Sequence, residues 1–216
     1  VTGVWGETEK RRVRGVATRL FAELGFDGTS VELIAQAAGV DAESMIARMG
    51  DKAELYRQVM LEAHRVEREA MEAAVARFTP STQGVIELVD AYLDFNLDHP
   101  YVMALWMHRW MGDAMDVGGL EELYARPLIT MVTGVADEVL AEDVDVDHLT
   151  WTVIWCVYGF LTGGMQYTGP GPATGTGRRP SLPTADSEAL RRFRRHLHTL
   201  IRRMSAPRTG QGAAPG

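Results

Sequence analysis

Apolar residues recur three and four positions apart along most of this chain, and the intervals between those runs carry glycine, proline or capping residues. Val13, Ala17, Leu20, Phe21 and Leu24 form one stripe with charge on the opposite face, which predicts an amphipathic helix stopped by Gly25. Thr29-Ser30-Val31-Glu32 reads as a capping box with Thr29 at the cap, and it opens a short helix through Ile34 and Ala38 to Gly39. Asp41 caps a third short helix, Ala42 to Met49. A second capping box, Asp51-Lys52-Ala53-Glu54, starts a long helix that carries Leu55, Val59, Met60, Val66 and Ala70.

Further helices are predicted from about Gln83 to Asp98, from Tyr101 to Met111, from about Leu120 to Ala141 with a bend at Pro127, from Leu149 to Gly163, and from a Ser187 cap to Met204. Residues 1–9, 168–186 and 205–216 lack periodicity and read as a flexible tail, a Gly/Pro/Thr-rich loop and a second tail. No run alternates with the period of a strand. The fold class is all-α, with about nine helices: a three-helix head followed by a larger helical bundle.

The first two short helices and the turn between them have helix-turn-helix spacing. Ala35 lies where the two axes cross and only a small side chain fits; Gly39 permits the turn through a left-handed backbone. Ile34, Val40 and Met45 are apolar where such a unit meets its supporting helix. The motif places Ala42 to Met49 as the helix that enters a major groove. On spacing alone an ordinary helical corner fits equally well.

The wider context adds to this. The run Ala17-Thr18-Arg19-Leu20-Phe21-Ala22-Glu23-Leu24-Gly25-Phe26, then Gly28-Thr29-Ser30-Val31-Glu32-Leu33-Ile34-Ala35, Ala37-Ala38-Gly39-Val40 and Lys52-Ala53-Glu54-Leu55 resembles the amino-terminal domain of the TetR family of transcriptional repressors. That resemblance covers residues 10–60. It implies a DNA-binding domain over 10–55, with its motif at about 30–49, and an effector-binding and dimerisation domain over 56–204. It also implies a homodimer that reads a palindrome in double-stranded DNA. The DNA-binding residues it implies are Thr29, Ser30, Ala42, Glu43, Ser44, Ile46, Ala47, Arg48 and Lys52, with Thr29 or Ser30 and Lys52 on phosphates. The recognition helix departs from the family pattern: Asp41 stands for a small hydroxyl residue, Ile46 for a tyrosine, Arg48 for an aromatic residue or histidine and Met49 for a phenylalanine. Glu43 is suited to accept from a cytosine amino group, and Asp41 and Glu43 bring negative charge toward DNA. A small-molecule binding protein with weak or lost DNA binding is the alternative.

Charge refines this picture. The net charge of −7 is uneven: residues 61–186 hold 19 acidic side chains against 7 basic ones, while residues 187–216 hold 7 basic against 1 acidic. Lys10, Arg11, Arg12, Arg14 and Arg19 form a local basic cluster in the first helix, able to hold phosphates despite the overall acidity. The composition, 46% apolar and 24% charged, excludes a chain disordered throughout and a polytopic membrane protein. A single cysteine, Cys156, excludes an internal disulfide, and no secretion signal is read, so a cytoplasmic location is expected.

Four of the five tryptophans fall on two of the predicted helices, beside methionine and other aromatic residues. Bundle core explains such residues by default. With a regulator's head in front, they point to a pocket for an apolar or aromatic effector, lined by Tyr92, Phe95, Trp106, Met107, Trp110, Met111, Trp151 and Trp155. Asn96, His108, Arg109, Tyr124 and Gln166 are the polar groups available to orient a ligand, Arg109 more naturally pairing with an acid. Leu149 to Thr168 carries no charge, yet glycines, threonines and its acidic flank favour a buried helix over a membrane span. Dimerisation is expected through the last two helices, with arginines of the last one meeting the acidic turn 142–147. No histidine spacing suits zinc, and no phosphate loop or nucleophile elbow occurs, so no metal, cofactor or enzymatic activity is expected.

Overall fold

Helix α1 (Glu7–Leu24) ends where Gly25 adopts φ 77°, its amide closing on the Phe21 carbonyl at 3.0 Å. The computed structural model describes residues 5–163 and 188–205; the loop expected over 168–186, the Ser187 cap, Gln166, and the tails apart from residues 5–9 and Ser205 lie outside them. α1 starts inside the stretch read as a tail, because Glu7 and Glu9 supply the first turn with the negative charge that a helix amino-terminus favours. α2 (Val31–Ala38) is capped by Ser30, whose hydroxyl accepts from the Leu33 amide at 3.1 Å. Thr29, one residue earlier than the true cap, is buried, and its hydroxyl donates to the Gly25 carbonyl at 2.7 Å.

Gly39 takes the left-handed conformation expected of it, φ 64° and ψ 40°, and turns the chain into α3 (Ala42–Met49), capped by Asp41 at 2.9 Å from the Ser44 amide. Then follow α4 (Lys52–Val75), α5 (Thr82–Asp98), α6 (Pro100–Trp110), α7 (Arg126–Ala136), α8 (Val146–Gly163) and α9 (Glu188–Met204). The single long helix expected over 120–141 is broken: a π-helical turn, Glu121–Ala125, precedes α7, and a 3-10 turn, Asp137–Val139, follows it. Pro127 has no amide to donate one turn back, and the Arg126 amide instead reaches the Glu121 carbonyl. Among the described residues there are nine α-helices and no strand, only one isolated bridge between Leu140 and Ser205. None of these helices is long and apolar enough to cross a membrane.

The chain forms two compact units. Of the described residues, the first holds those up to 70 and 98–128, the second 71–97 and those from 129 on. α6 therefore belongs with the first three helices, and it packs against α1. The core of the first unit includes Val13, Ala17, Phe21, Ile34, Met45, Leu55 and Met60, with Val102 and Leu105 from α6. At its centre Phe21, Phe26 and Tyr56 form an aromatic cluster, with ring centroids 5.0 to 5.9 Å apart.

In the second unit α9 lays Leu190, Phe193, Leu197 and Ile201 inward, and Phe193 stacks on Phe160 of α8 at 4.2 Å. Arg194 pairs with Asp90 of α5 at 2.8 Å and also with Asp94; His198 meets Asp90 at 2.9 Å. Within the chain these partners all lie on α5. In the acidic turn 142–147 Asp145 has a local task, capping α8 through the His148 amide at 2.9 Å.

Phe26 is 4% exposed and touches both other rings of its cluster. Phe26→Ala is expected to cost about 3–5 kcal/mol of stability in urea unfolding, the usual range for an aromatic core truncation.

Candidate nucleic-acid interface and aromatic groups

α3 turns Met45 and Met49 into the core and leaves Glu43, Ile46 and Ala47 on its outer side, Ile46 being 45% exposed. The outer rod of the helix-turn-helix is therefore open to solvent and narrow in side chain, as a groove requires. Ala42 and Ser44 are half-buried near its start. Asp41 is exposed, and its carboxylate is committed to the cap. Arg48 lies over the ring of Trp5, with its guanidinium carbon 5.6 Å from the ring centroid.

The remaining expected contacts are oriented differently. The Lys52 ammonium donates to the Phe26 carbonyl at 3.0 Å and sits 4.0 Å from the centroid of the Phe26 ring. It ties the start of α4 to the turn ahead of α2. Ser30 is exposed with its hydroxyl capping α2, and the Thr29 hydroxyl faces inward. Cations still exposed on α1 are Arg11, Arg12 and Arg19.

A tie from distant sequence completes this region. Asp113, beyond the end of α6, accepts from the Phe26 amide at 2.6 Å and the Asp27 amide at 2.8 Å. His108 of α6 places Nε2 3.2 Å from the Ala22 carbonyl. A side chain at Gly25 would meet the Asp113 carboxylate at 3.1 Å and the His108 ring at 3.2 Å. Arg109, buried, pairs with Glu121 through two bonds of 2.6 and 3.0 Å and also donates to the Ala114 carbonyl. The Glu121 bridge raises the Arg109 pKa and lowers that of Glu121.

The eight aromatic and methionine residues expected in one lining divide between the units. Trp106, Met107, Trp110 and Met111 belong to the first; Tyr92, Phe95, Trp151 and Trp155 belong to the second. Trp106 and Met107 are buried, and Trp110 stacks on Trp106 with centroids 5.7 Å apart. Met111 stands in solvent at 74% exposure. In the second unit Phe95 is buried and Tyr92 half-buried, its carbonyl accepting from Asn96 at 2.9 Å. Trp151 is half-buried, and Trp155 on the same helix is 45% exposed.

Periodicity gave no sign of Glu67. This α4 carboxyl is buried, with Trp106 as hydrogen-bond donor, and loss of hydration pushes its pKa up to about 7. His64, one turn earlier, is also buried and stacks on Tyr124 at 4.8 Å. An acid three positions from a histidine on a helix otherwise apolar at those places is the one sequence signal that marks this spot.

Residues 15–59 match the family described as bacterial regulatory proteins, tetR family. No curated protein matches the chain. Solved structures share its fold at low identity. A tetR-family bacterial regulatory protein from Rhodococcus RHA1 aligns with a TM-score of 0.66 at 15% identity, covering 94% of this chain and 100% of that one. The ketosteroid transcriptional regulator KstR2 of Mycobacterium tuberculosis aligns at 0.65 and 16% identity, covering 96% and 100%. The TetR-family transcriptional regulator PfmR from Thermus thermophilus aligns at 0.61 and 19% identity, covering 89% and 98%.

Because the folded chain holds the Glu67 proton more tightly than the unfolded chain does, stability falls as pH rises from the ordinary glutamate range through about 7. Glu67→Gln is expected to flatten that slope and to stabilise the chain at pH 8 by about 2–3 kcal/mol, read from urea unfolding at pH 5 and pH 8.

Proposed function

We propose that this chain, whose residues 15–59 match the tetR family of bacterial regulatory proteins, is a transcriptional regulator that binds a palindromic operator as a homodimer and is released by an apolar or aromatic effector. The observation that carries the reading is the outer face of α3, where Glu43, Ile46 and Ala47 stand free of the core. Such a helix enters the major groove, with Ile46 and Ala47 suited to thymine methyl groups and Glu43 to a cytosine amino group. Phosphates would be held by the exposed arginines of α1 and by the amino-terminus of α2 at Ser30.

The effector reading rests on α6. Its Trp106 and Trp110 form a stacked apolar pair, and its far end is tied to α1 through His108 and to the turn ahead of α2 through Asp113. A ligand that shifts α6 displaces that turn and with it α3. A coupling of about 1–3 kcal/mol suffices to change operator occupancy severalfold. Repression is the action this arrangement serves most simply, since release follows from displacement of the reading helix.

The dimer reading rests on α8. Thr152, Trp155, Gly159 and Thr162 are exposed at spacings of three, four and three, a stripe of one large and three small side chains along one side of the helix. The apolar stripe of α9 is already covered by its own chain, so α8 supplies the apolar part of the interface and α9 its arginine-rich flank.

A second reading has its own support: a ligand-binding protein with weak DNA affinity. Lys52 and Thr29 are both engaged inside the chain, and Asp41 and Glu43 bring like charge to phosphates.

Selection of duplexes from a random pool, followed by gel shifts over a range of salt, separates the two. The first reading expects a palindromic sequence bound specifically. Ala47→Glu is then expected to weaken that complex by at least about tenfold with the melting temperature unchanged, since the site is exposed and a charge there meets base edges. Absence of any selected sequence favours the second reading. Trp155→Arg is expected to convert a dimer into a monomer in size-exclusion chromatography with light scattering; a wild-type monomer at micromolar concentration overturns the dimer.

A further inference from the structure

We infer that Trp5 is a positioning residue of the DNA-reading surface: its indole holds the Arg48 guanidinium at the end of α3 so that the free donor edge meets a guanine in the major groove. The inference rests on the reading of α3 as a recognition helix.

Four of the five tryptophans lie on α6 and α8; Trp5 alone precedes the first helix. It is half-buried, with the Arg48 guanidinium carbon 5.6 Å from its ring centroid. That distance is within the range of a cation–π contact. Among the described residues Arg48 has no carboxylate partner and makes no hydrogen bond, although it lies on a chain with 29 acidic side chains. Its Nε is closed off from solvent without an acceptor. The donors left to it are those of the two Nη groups.

Chemistry follows from this geometry. An arginine tied up by a carboxylate must exchange one anion for another before it touches DNA. One held by an aromatic ring keeps its full charge and its planar donor fork while losing side-chain freedom. Two parallel N–H donors match O6 and N7 of guanine, the pairing that arginine makes best with a base edge. Elsewhere on the outer side of α3 the exposed residues are acidic or apolar, so this guanidinium is the donor that the helix brings to the groove. The Lys52 ammonium, by contrast, is spent on the Phe26 carbonyl and ring.

The test uses the full chain and the duplex that the wild-type protein selects from a random pool. Trp5→Ala is expected to lower affinity by about two- to fivefold, the worth of one exposed cation–π contact, and Trp5→Phe to restore most of it. Arg48→Ala is expected to lose about tenfold and to lose preference for guanine at one position of each half-site. Trp5→Ala is expected to relax the same position, and to add nothing when Arg48 is already alanine. Without DNA, the Arg48 Nε–H resonance is expected to carry a ring-current shift that disappears in Trp5→Ala.

If the wild-type chain selects no duplex, the DNA-binding reading fails and this assignment with it. If it selects one and Trp5→Ala binds as wild type does, the assignment alone is overturned. The same holds if the loss is undiminished in the Arg48→Ala background, or if Trp5→Phe fails to rescue.

Discussion

Phe26 is the point on which the first unit is assembled. Its ring is shared by Phe21 of α1 and Tyr56 of α4, and the Lys52 ammonium lies over it. Its carbonyl accepts from Lys52 and from the Thr29 amide, while its own amide donates to Asp113. One residue in a turn thus joins α1, the approach to α2, the start of α4 and the segment after α6. Charged partners on both its amide and its carbonyl make these bonds stronger than neutral ones. α3 buries Met45 and Met49 and packs against α2, which follows directly from that turn.

That assembly has an electrostatic consequence. Lys52 and Thr29 are used to hold the head together, so that of the two hydroxyls that the family resemblance offers to phosphates, Thr29 or Ser30, it is Ser30 that is left. The outer face of α3 carries Glu43 and apolar groups, with Asp41 at its cap. On the DNA-binding reading proposed above, sequence-independent attraction would rest on the arginines of α1 and the amino-terminus of α2, and discrimination on side-chain shape and on Arg48. Fewer cations on phosphates would make the salt dependence of such binding shallower.

What the sequence made legible was local. Gly39, the Asp41 cap and the alternation of buried and exposed positions in α2 and α3 are encoded within a few residues of where they act, and each is present as the periodicity predicts. One cap fell a residue early because Thr29 and Ser30 both carry hydroxyls, and only burial decides which one turns inward. The break before α7 follows from Pro127, but nothing in the periodicity shows that the break takes a π-helical form. Asp113 meets Phe26 across 87 positions, and no periodicity announces such a partner. Likewise the tryptophans announced their bulk but not their sides: Trp106 is buried, Trp155 is half out, and the two sit in different units.

Gly25 shows how one residue answers to both scales. Locally it ends α1, its positive φ letting the amide close on Phe21, and that requirement is visible in the sequence. Its second requirement comes from α6, since any side chain there would press on both His108 and Asp113 at 3.1–3.2 Å. The close approach means that α6 and the turn ahead of α2 share an interface without slack on either side. A close-packed contact of this kind transmits displacement instead of absorbing it. Glycine at this one position thus meets two demands at once, the end of α1 and the close approach of α6.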